Sequence, residues 1–198
     1  ILFLRMDEVE AQQYAVSLLA DPEPQIAEFA LRFLSLGTEA GFPVAEELRI
    51  SSSENVSYSG SNDEPAPVIL RAPAGLTIEN VTPFLQSPRT DVVVCSSHLL
   101  ALMNDFRGLP LLIDHWRAEP SDSGSQKMLY QAITMANDPA YVPILEELYF
   151  QKSKELWYSS NMADFYWTIR NLSGSEILAL RKKIRDEQGA QILRQRNN

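Results

Sequence analysis

In the second half of the chain, apolar residues recur at helical spacing in short blocks, each closed by a polar turn. Val92, Cys95, Leu99 and Leu102 mark one face of a helix beginning near Asp91, and Leu109, Leu112, Ile113 and Trp116 mark its partner. The pattern returns in Met128, Leu129, Ala132 and Ile133, followed by Val142, Leu145, Leu148 and Tyr149. A last pair draws on Met162, Phe165, Tyr166 and Ile169, then on Ile177, Leu180 and Ile184. The final helix opens with Ser173-Gly174-Ser175-Glu176, which fits a capping box, and is expected to end or fray beyond about Asp186, where charge is dense. Near the start, Val9, Tyr14, Ala15, Leu18 and Leu19 predict a helix from about Asp7. Asp21-Pro22-Glu23-Pro24 ends it, because the residue before each proline is pushed out of the helical region. Ile26, Ala30, Phe33 and Leu34 then place a second helix that stops at Gly37, and a short one follows through Val44, Ala45 and Leu48.

The pattern breaks between these two regions. Residues 50–66 are serine-rich, acidic and almost without aliphatic side chains, so burial cannot offset their ordering entropy and a mobile loop is expected. Beyond them, Val68-Ile69-Leu70 reads as a short extended piece. Ile78, Val81, Phe84 and Leu85 suit a short helix beginning near Thr77. The division that follows is an N-terminal helical hairpin over 1–49, an irregular serine-rich loop and degenerate unit over 50–90, and regular repeats over 91–198 that end in a basic helix.

One phrase recurs at the turns. It reads Leu36-Gly37-Thr38-Glu39-Ala40-Gly41-Phe42-Pro43-Val44, then Met103-Asn104-Asp105-Phe106-Arg107-Gly108-Leu109-Pro110-Leu111, then Ala136-Asn137-Asp138-Pro139-Ala140-Tyr141-Val142-Pro143-Ile144. From proline to proline the steps are 67 and 33 residues, so the first gap is close to twice the second. The asparagine or glycine tolerates the left-handed backbone that ends the first helix. The proline falls within the first turn of the next helix, where its missing N–H costs nothing. So few residues intervene that the two helices must lie antiparallel and adjacent. A period near 33 with two helices per unit is the mark of an α-solenoid, so the expected fold is all-α, a solenoid of antiparallel helical hairpins with an irregular insertion.

At these residues the chain resembles the HEAT-repeat superfamily, in its short bacterial form (the PBS-lyase type). The stretch from Asn137 to Leu148 looks like the start of that family's second helix, and Asp21-Pro22 with the residues to Ala30 resembles the turn that opens its first. The resemblance covers roughly residues 20–49 and 91–185. Gln25 and Ala27 stand where the family usually has an arginine after the Asp-Pro, and residues 50–90 fit no regular unit. The resemblance implies a scaffold that binds other proteins along a curved face.

Charge narrows the set of partners. The net charge is −9, with twelve acidic residues and two arginines in residues 6–66 but seven basic and three acidic residues in 168–198. A nucleic-acid partner needs a broad basic footprint, which this chain lacks. No apolar run approaches the ~18 residues of a membrane span, so no membrane partner is expected either. Plain solvated faces explain most of the asymmetry, and an acidic N-terminal half favours a basic protein partner. Ile1-Leu2-Phe3-Leu4-Arg5 is too short for a signal peptide and lacks a cleavage pattern. A chain opening on Ile1 is expected to be a piece of something longer, with neighbouring domains.

Candidate chemistry is sparse. The one cysteine, Cys95, excludes a disulfide framework and falls on an apolar helix face, where an inert buried thiol is expected. The Asn-x-Ser/Thr sequons at Asn55, Asn80 and Asn171 are of a kind that arises by chance. His98 and His115 are too far apart for a helical metal pair, and neither is followed by the glutamate that supplies iron ligands in some HEAT-like hydroxylases. His115 follows Asp114, which suggests a surface ion pair. Glu146 and Glu147 are adjacent, so they point about 100° apart and do not share a proton. No phosphate loop, nucleophile elbow or CxxC motif occurs, so no catalytic residue, cofactor or metal is expected. For partner binding the candidates are Trp157 and Tyr158, aromatic anchors if they are not core, together with the carboxylates Glu46, Glu47 and Asp114. Two functions remain: a non-enzymatic protein-interaction scaffold, or an accessory domain that positions substrate for a catalytic module elsewhere in a longer chain.

Overall fold

The computed structural model describes residues 8–37, 72–120, 122–152, 165 and 168–196. All the regular structure among them is helical, with no strand. The chain divides into two compact units, Ile1–Ala136 and Asn137–Asn198.

The first unit holds α1 (Glu8–Leu18), α2 (Pro24–Gly37), the single turn α3 (Ile78–Val81), α4 (Thr90–Leu102), α5 (Leu109–Ala118) and α6 (Ser123–Ala136). Asp21 shapes the α1–α2 turn by accepting the Glu23 N–H at 2.9 Å. Thr77 caps α3 by accepting the Asn80 N–H, which places that turn where the sequence expects it. At the centre lies α4, in which Val94 through Leu102 are buried without interruption. Its neighbours on different sides are α2, α5 and α6. A helix wrapped in this way needs no polar face, which is why the segment reads VVVCSSHLLAL. Contacts from α2 to the α4 region advance together, Glu28 with Arg89, Arg32 with Asp91 and Ser35 with His98, so the two helices run parallel.

In the second unit, α7 (Val142–Lys152) and α8 (Ser175–Arg196) flank helical residues at 168–171. Leu145, Leu148, Tyr149, Phe165, Ile169, Leu172, Ile177, Leu180 and Ile184 supply its core. Tyr149 stacks on Phe165 at 5.5 Å and meets the Phe150 edge at 5.0 Å. Arg181 reaches the end of the preceding helix, donating to the carbonyls of Ile169, Arg170 and Leu172. Those carbonyls have no partner within their own helix, so the guanidinium closes it from outside.

The repeated turn takes the same form in both described copies. Asn104 and Asn137 adopt the left-handed region, with φ of 61° and 44°. Asp105 and Asp138 each accept the N–H two residues on, from Arg107 and Ala140, opening a single 3-10 turn. Pro110 and Pro143 are the second residues of α5 and α7. Gly108 serves a further purpose, since a Cβ there would lie 2.7 Å from the Ser97 Cα. The entry to α5 therefore presses directly on the α4 backbone.

Four expectations need correction. Val9, Tyr14 and Ile26 keep about two-fifths of their surface exposed, and the buried residues of α1 and α2 are Ala11, Gln12, Ala15, Ala27, Ala30, Leu31, Leu34 and Ser35. Alanines at 11, 15, 27 and 30 let these helices approach closely, and Val9, Tyr14 and Ile26 lie outside that contact. The serine-glutamate capping box before α8 does not form. Ser173 instead gives its N–H to Asn137 Oδ1, Gly174 takes a φ of 114°, and the Ser175 hydroxyl donates to Glu176. Nor does α8 end near Asp186: it runs to Arg196, through the good helix formers Gln, Ala, Leu and Arg. Finally, His115 pairs with Asp122 at 3.3 Å rather than with Asp114. Adjacent helical residues diverge, whereas the loop after α5 folds back over His115.

Candidate functional site

Of the residues that the sequence offers for partner binding, Glu46, Glu47, Trp157 and Tyr158 lie outside the described residues. Asp114 is exposed on α5. Two features of the first unit were not anticipated as sites, a buried polar ladder and a cleft above it.

The ladder crosses three helices. Ser35 on α2, His98 on α4 and Gln131 on α6 are all buried, and His98 is wholly enclosed. The imidazole Nδ1 is 3.0 Å from the Ser35 Oγ, and Nε2 is 2.7 Å from the Gln131 Oε1. An amide oxygen only accepts, so Nε2 carries the hydrogen and Nδ1 accepts from the serine hydroxyl. Cys95 is hydrogen-bonded to the same hydroxyl, and the Met128 sulfur lies 3.9 Å from it. Burial lowers the His98 pKa from 6.5 to about 4, against the favourable hydrogen bond to Gln131, so the ring is neutral near pH 7. Burial likewise pushes the Cys95 thiol up.

Serine, histidine and amide in sequence invite comparison with a nucleophile, its base and an orienting group. The packing argues otherwise. Ser35 and His98 have no exposed surface, so no substrate carbonyl reaches the hydroxyl. Both ring nitrogens are committed to hydrogen bonds within the ladder. The ladder works as a clamp that fixes the register of three helices, because slipping any of them would strand a buried polar group at a cost of about 1–3 kcal/mol.

Above Cys95 and Met128 opens a cleft of about 650 Å³, bounded by α2, α4, α5 and the start of α6. Its apolar surface comes from Leu36, Val94, Cys95, Ala118 and Met128, and its charged rim from Arg32, Asp91, Glu119 and Asp122. Arg32 Nε lies 3.3 Å from Asp91 Oδ2, and Arg89 bonds the same carboxylate at 2.9 Å. The Arg89 hydrogen bonds hold the Asp91 carboxyl below its ordinary range. For Asp122, burial opposes ionisation, but hydrogen bonds from Ser125, His115 and the N–H groups of Ser125 and Gly124 outweigh it and keep its pKa low. Asp122 thereby caps α6 and fixes the cleft wall. The Glu119 carboxylate is exposed and makes no hydrogen bond or ion pair among the described residues.

Among the described residues no group of three or more His, Cys, Asp or Glu side chains is placed to hold a metal ion. No described helix is long and apolar enough to cross a membrane. The cleft offers shape, apolar surface and carboxylates, all of them means of recognising a bound group.

The 33-residue separation of His98 and Gln131 was the one signal in the sequence that could have revealed the ladder. The cleft residues come from four helices and have no common spacing. Comparison with known proteins gives no match, since no family model, no relative by sequence and no solved structure is significantly similar to the chain.

Proposed function

We propose that this chain is an α-solenoid of HEAT-like helical hairpins that serves as a non-enzymatic scaffold for a protein partner. The observation that carries this reading is the recurrence of one turn 33 residues on: a left-handed asparagine, a capping aspartate, a 3-10 turn and a proline in the next helix. A unit that repeats its turn chemistry at a fixed period is built by stacking, and stacked hairpins present long surfaces for other chains. The cleft in the first unit adds a recess lined by apolar groups and carboxylates.

The experiment is cross-linking of the intact chain in its native extract, with recovered partners re-tested as pure proteins. Saturable one-to-one binding of a purified partner, competed by unlabelled chain, is the expected result. Finding only unsaturable capture, or finding that every recovered protein is chemically altered by the chain, would sink the scaffold reading.

A further inference from the structure

The cleft in the first unit has a composition that selects among partner segments. Its apolar lining comes from the buried Val94 of α4 and Met128 of α6 and, at the edge, from the exposed Leu36 of α2. Methionine and leucine adapt to varied aliphatic shapes. Three carboxylates line the rim, Asp91, Glu119 and Asp122, against a single guanidinium, Arg32. Asp91 already neutralises Arg32, and Asp122 is held by His115 and Ser125. Glu119 is left with a carboxylate exposed at the rim and uncommitted among the described residues. At about 650 Å³ the recess exceeds any one side chain and suits two or three consecutive residues.

The geometry points to a docking site for a short segment of a partner protein, in which an aliphatic side chain stands next to an arginine or lysine. The aliphatic group covers Leu36, Val94 and Met128, and the cation meets Glu119 at the rim. An acidic segment would bring its charge against three carboxylates and find its one counter-ion already paired. This assignment rests on the scaffold reading above, and names the site and the chemistry of what it takes.

The test titrates the intact chain with three labelled nonapeptides, Gly-Ser tracts flanking Leu-Arg, Leu-Gln or Leu-Glu. Binding is followed by fluorescence anisotropy. It is also followed by the rate at which N-ethylmaleimide modifies Cys95, the single cysteine, which is 5% exposed on the cleft floor. The Leu-Arg peptide is expected to bind about three- to fivefold more tightly than Leu-Gln, the factor one exposed ion pair contributes. Leu-Glu should bind weakest, and bound Leu-Arg peptide should slow modification of Cys95. Glu119→Lys is expected to erase the preference for Leu-Arg while leaving the Leu-Gln affinity unchanged. Ala118→Trp, at an exposed rim position, should fill the recess and abolish binding of all three. Both variants change exposed side chains, and unaltered melting curves verify the fold.

Equal affinity for the three peptides, binding of none of them, or binding that survives Ala118→Trp overturns the assignment. Repeating the cross-linking with Ala118→Trp separates the two ideas. A purified partner that binds wild type and variant equally removes the cleft and leaves the scaffold. A wild-type chain with no saturable partner removes the scaffold itself.

Discussion

The His98 imidazole donates from Nε2 to the Gln131 amide oxygen at 2.7 Å, and the two residues stand 33 positions apart on α4 and α6, each six residues before the left-handed asparagine of the repeated turn. The 33-residue spacing of the turn is thus matched by a buried hydrogen bond between two residues of the same spacing. With Ser35 on the other ring nitrogen, one neutral histidine ties α2, α4 and α6 together.

Acid should attack the fold at this histidine. In the unfolded chain the ring binds a proton near pH 6.5, whereas in the fold burial lowers that pKa to about 4. Between those values the unfolded state binds more protons, so falling pH favours unfolding. The charged group facing the ring, Lys127, acts in the same direction. The stability contribution is whole above pH 6.5 and is lost progressively as pH falls toward 4, on the order of 3 kcal/mol in total. Urea midpoints at pH 7.5, 6 and 5 should fall faster for wild type than for His98→Gln, which lacks the titrating ring. Parallel pH profiles for the two proteins would contradict the assignment.

Gly108→Ala should destabilise the first unit by about 1–3 kcal/mol. The backbone there has φ −85° and ψ −11°, which alanine adopts freely, so the penalty is steric alone. The new methyl would meet the Ser97 Cα at 2.7 Å, and a helix backbone gives way only by separating α4 from α5. Thermal unfolding reads the loss directly; an unchanged melting temperature would mean that the close approach is not real.

Ser97→Ala is expected to act in the opposite direction. The Ser97 hydroxyl is buried and has no hydrogen-bond partner among the described residues. Removing it relieves a desolvation penalty without opening a void larger than one oxygen, a gain of up to about 1 kcal/mol. Denaturation of wild type and variant side by side tests this, with a lower midpoint for the alanine variant as the contrary result.

Arg181→Ala should loosen the second unit by about 2 kcal/mol, since it frees three carbonyls at the end of the helix before α8. Arg181→Lys should recover only part of the loss, because an ammonium cannot span the three acceptors with a planar fork. Hydrogen exchange in residues 168–172 should rise for both variants, more for alanine. Exchange in α4 is expected to stay unchanged, and an equal rise there would show a global effect instead.

Much of the helical layout was legible because its causes are local. Apolar spacing gave α4 through α7, and turn chemistry gave their ends. Asn104 and Asn137 are left-handed, and Pro110 and Pro143 stand in the first turn, for reasons that concern a few neighbouring residues. Orientation was harder. Val9, Tyr14 and Ile26 were placed inward by their spacing, yet the buried faces run through Ala11, Ala15, Ala27 and Ala30, with Leu31 and Leu34, because alanines let the two helices approach closely. The capping box before α8 failed for a related reason, since Asn137, far off in sequence, claims the Ser173 N–H.

The candidate site divides along the same line. By itself the sequence determined that the described chain is helical, that the turn at Asn104 recurs 33 residues on at Asn137, and that Cys95 would be buried, since propensity and turn geometry act over a few residues. Only the tertiary structure decided that His98 meets Ser35 and Gln131, that His115 turns to Asp122 rather than Asp114, and that Arg32, Glu119 and Met128 share one cleft. Those pairings depend on how four helices lie against one another, and packing brings together residues that no spacing along the chain connects.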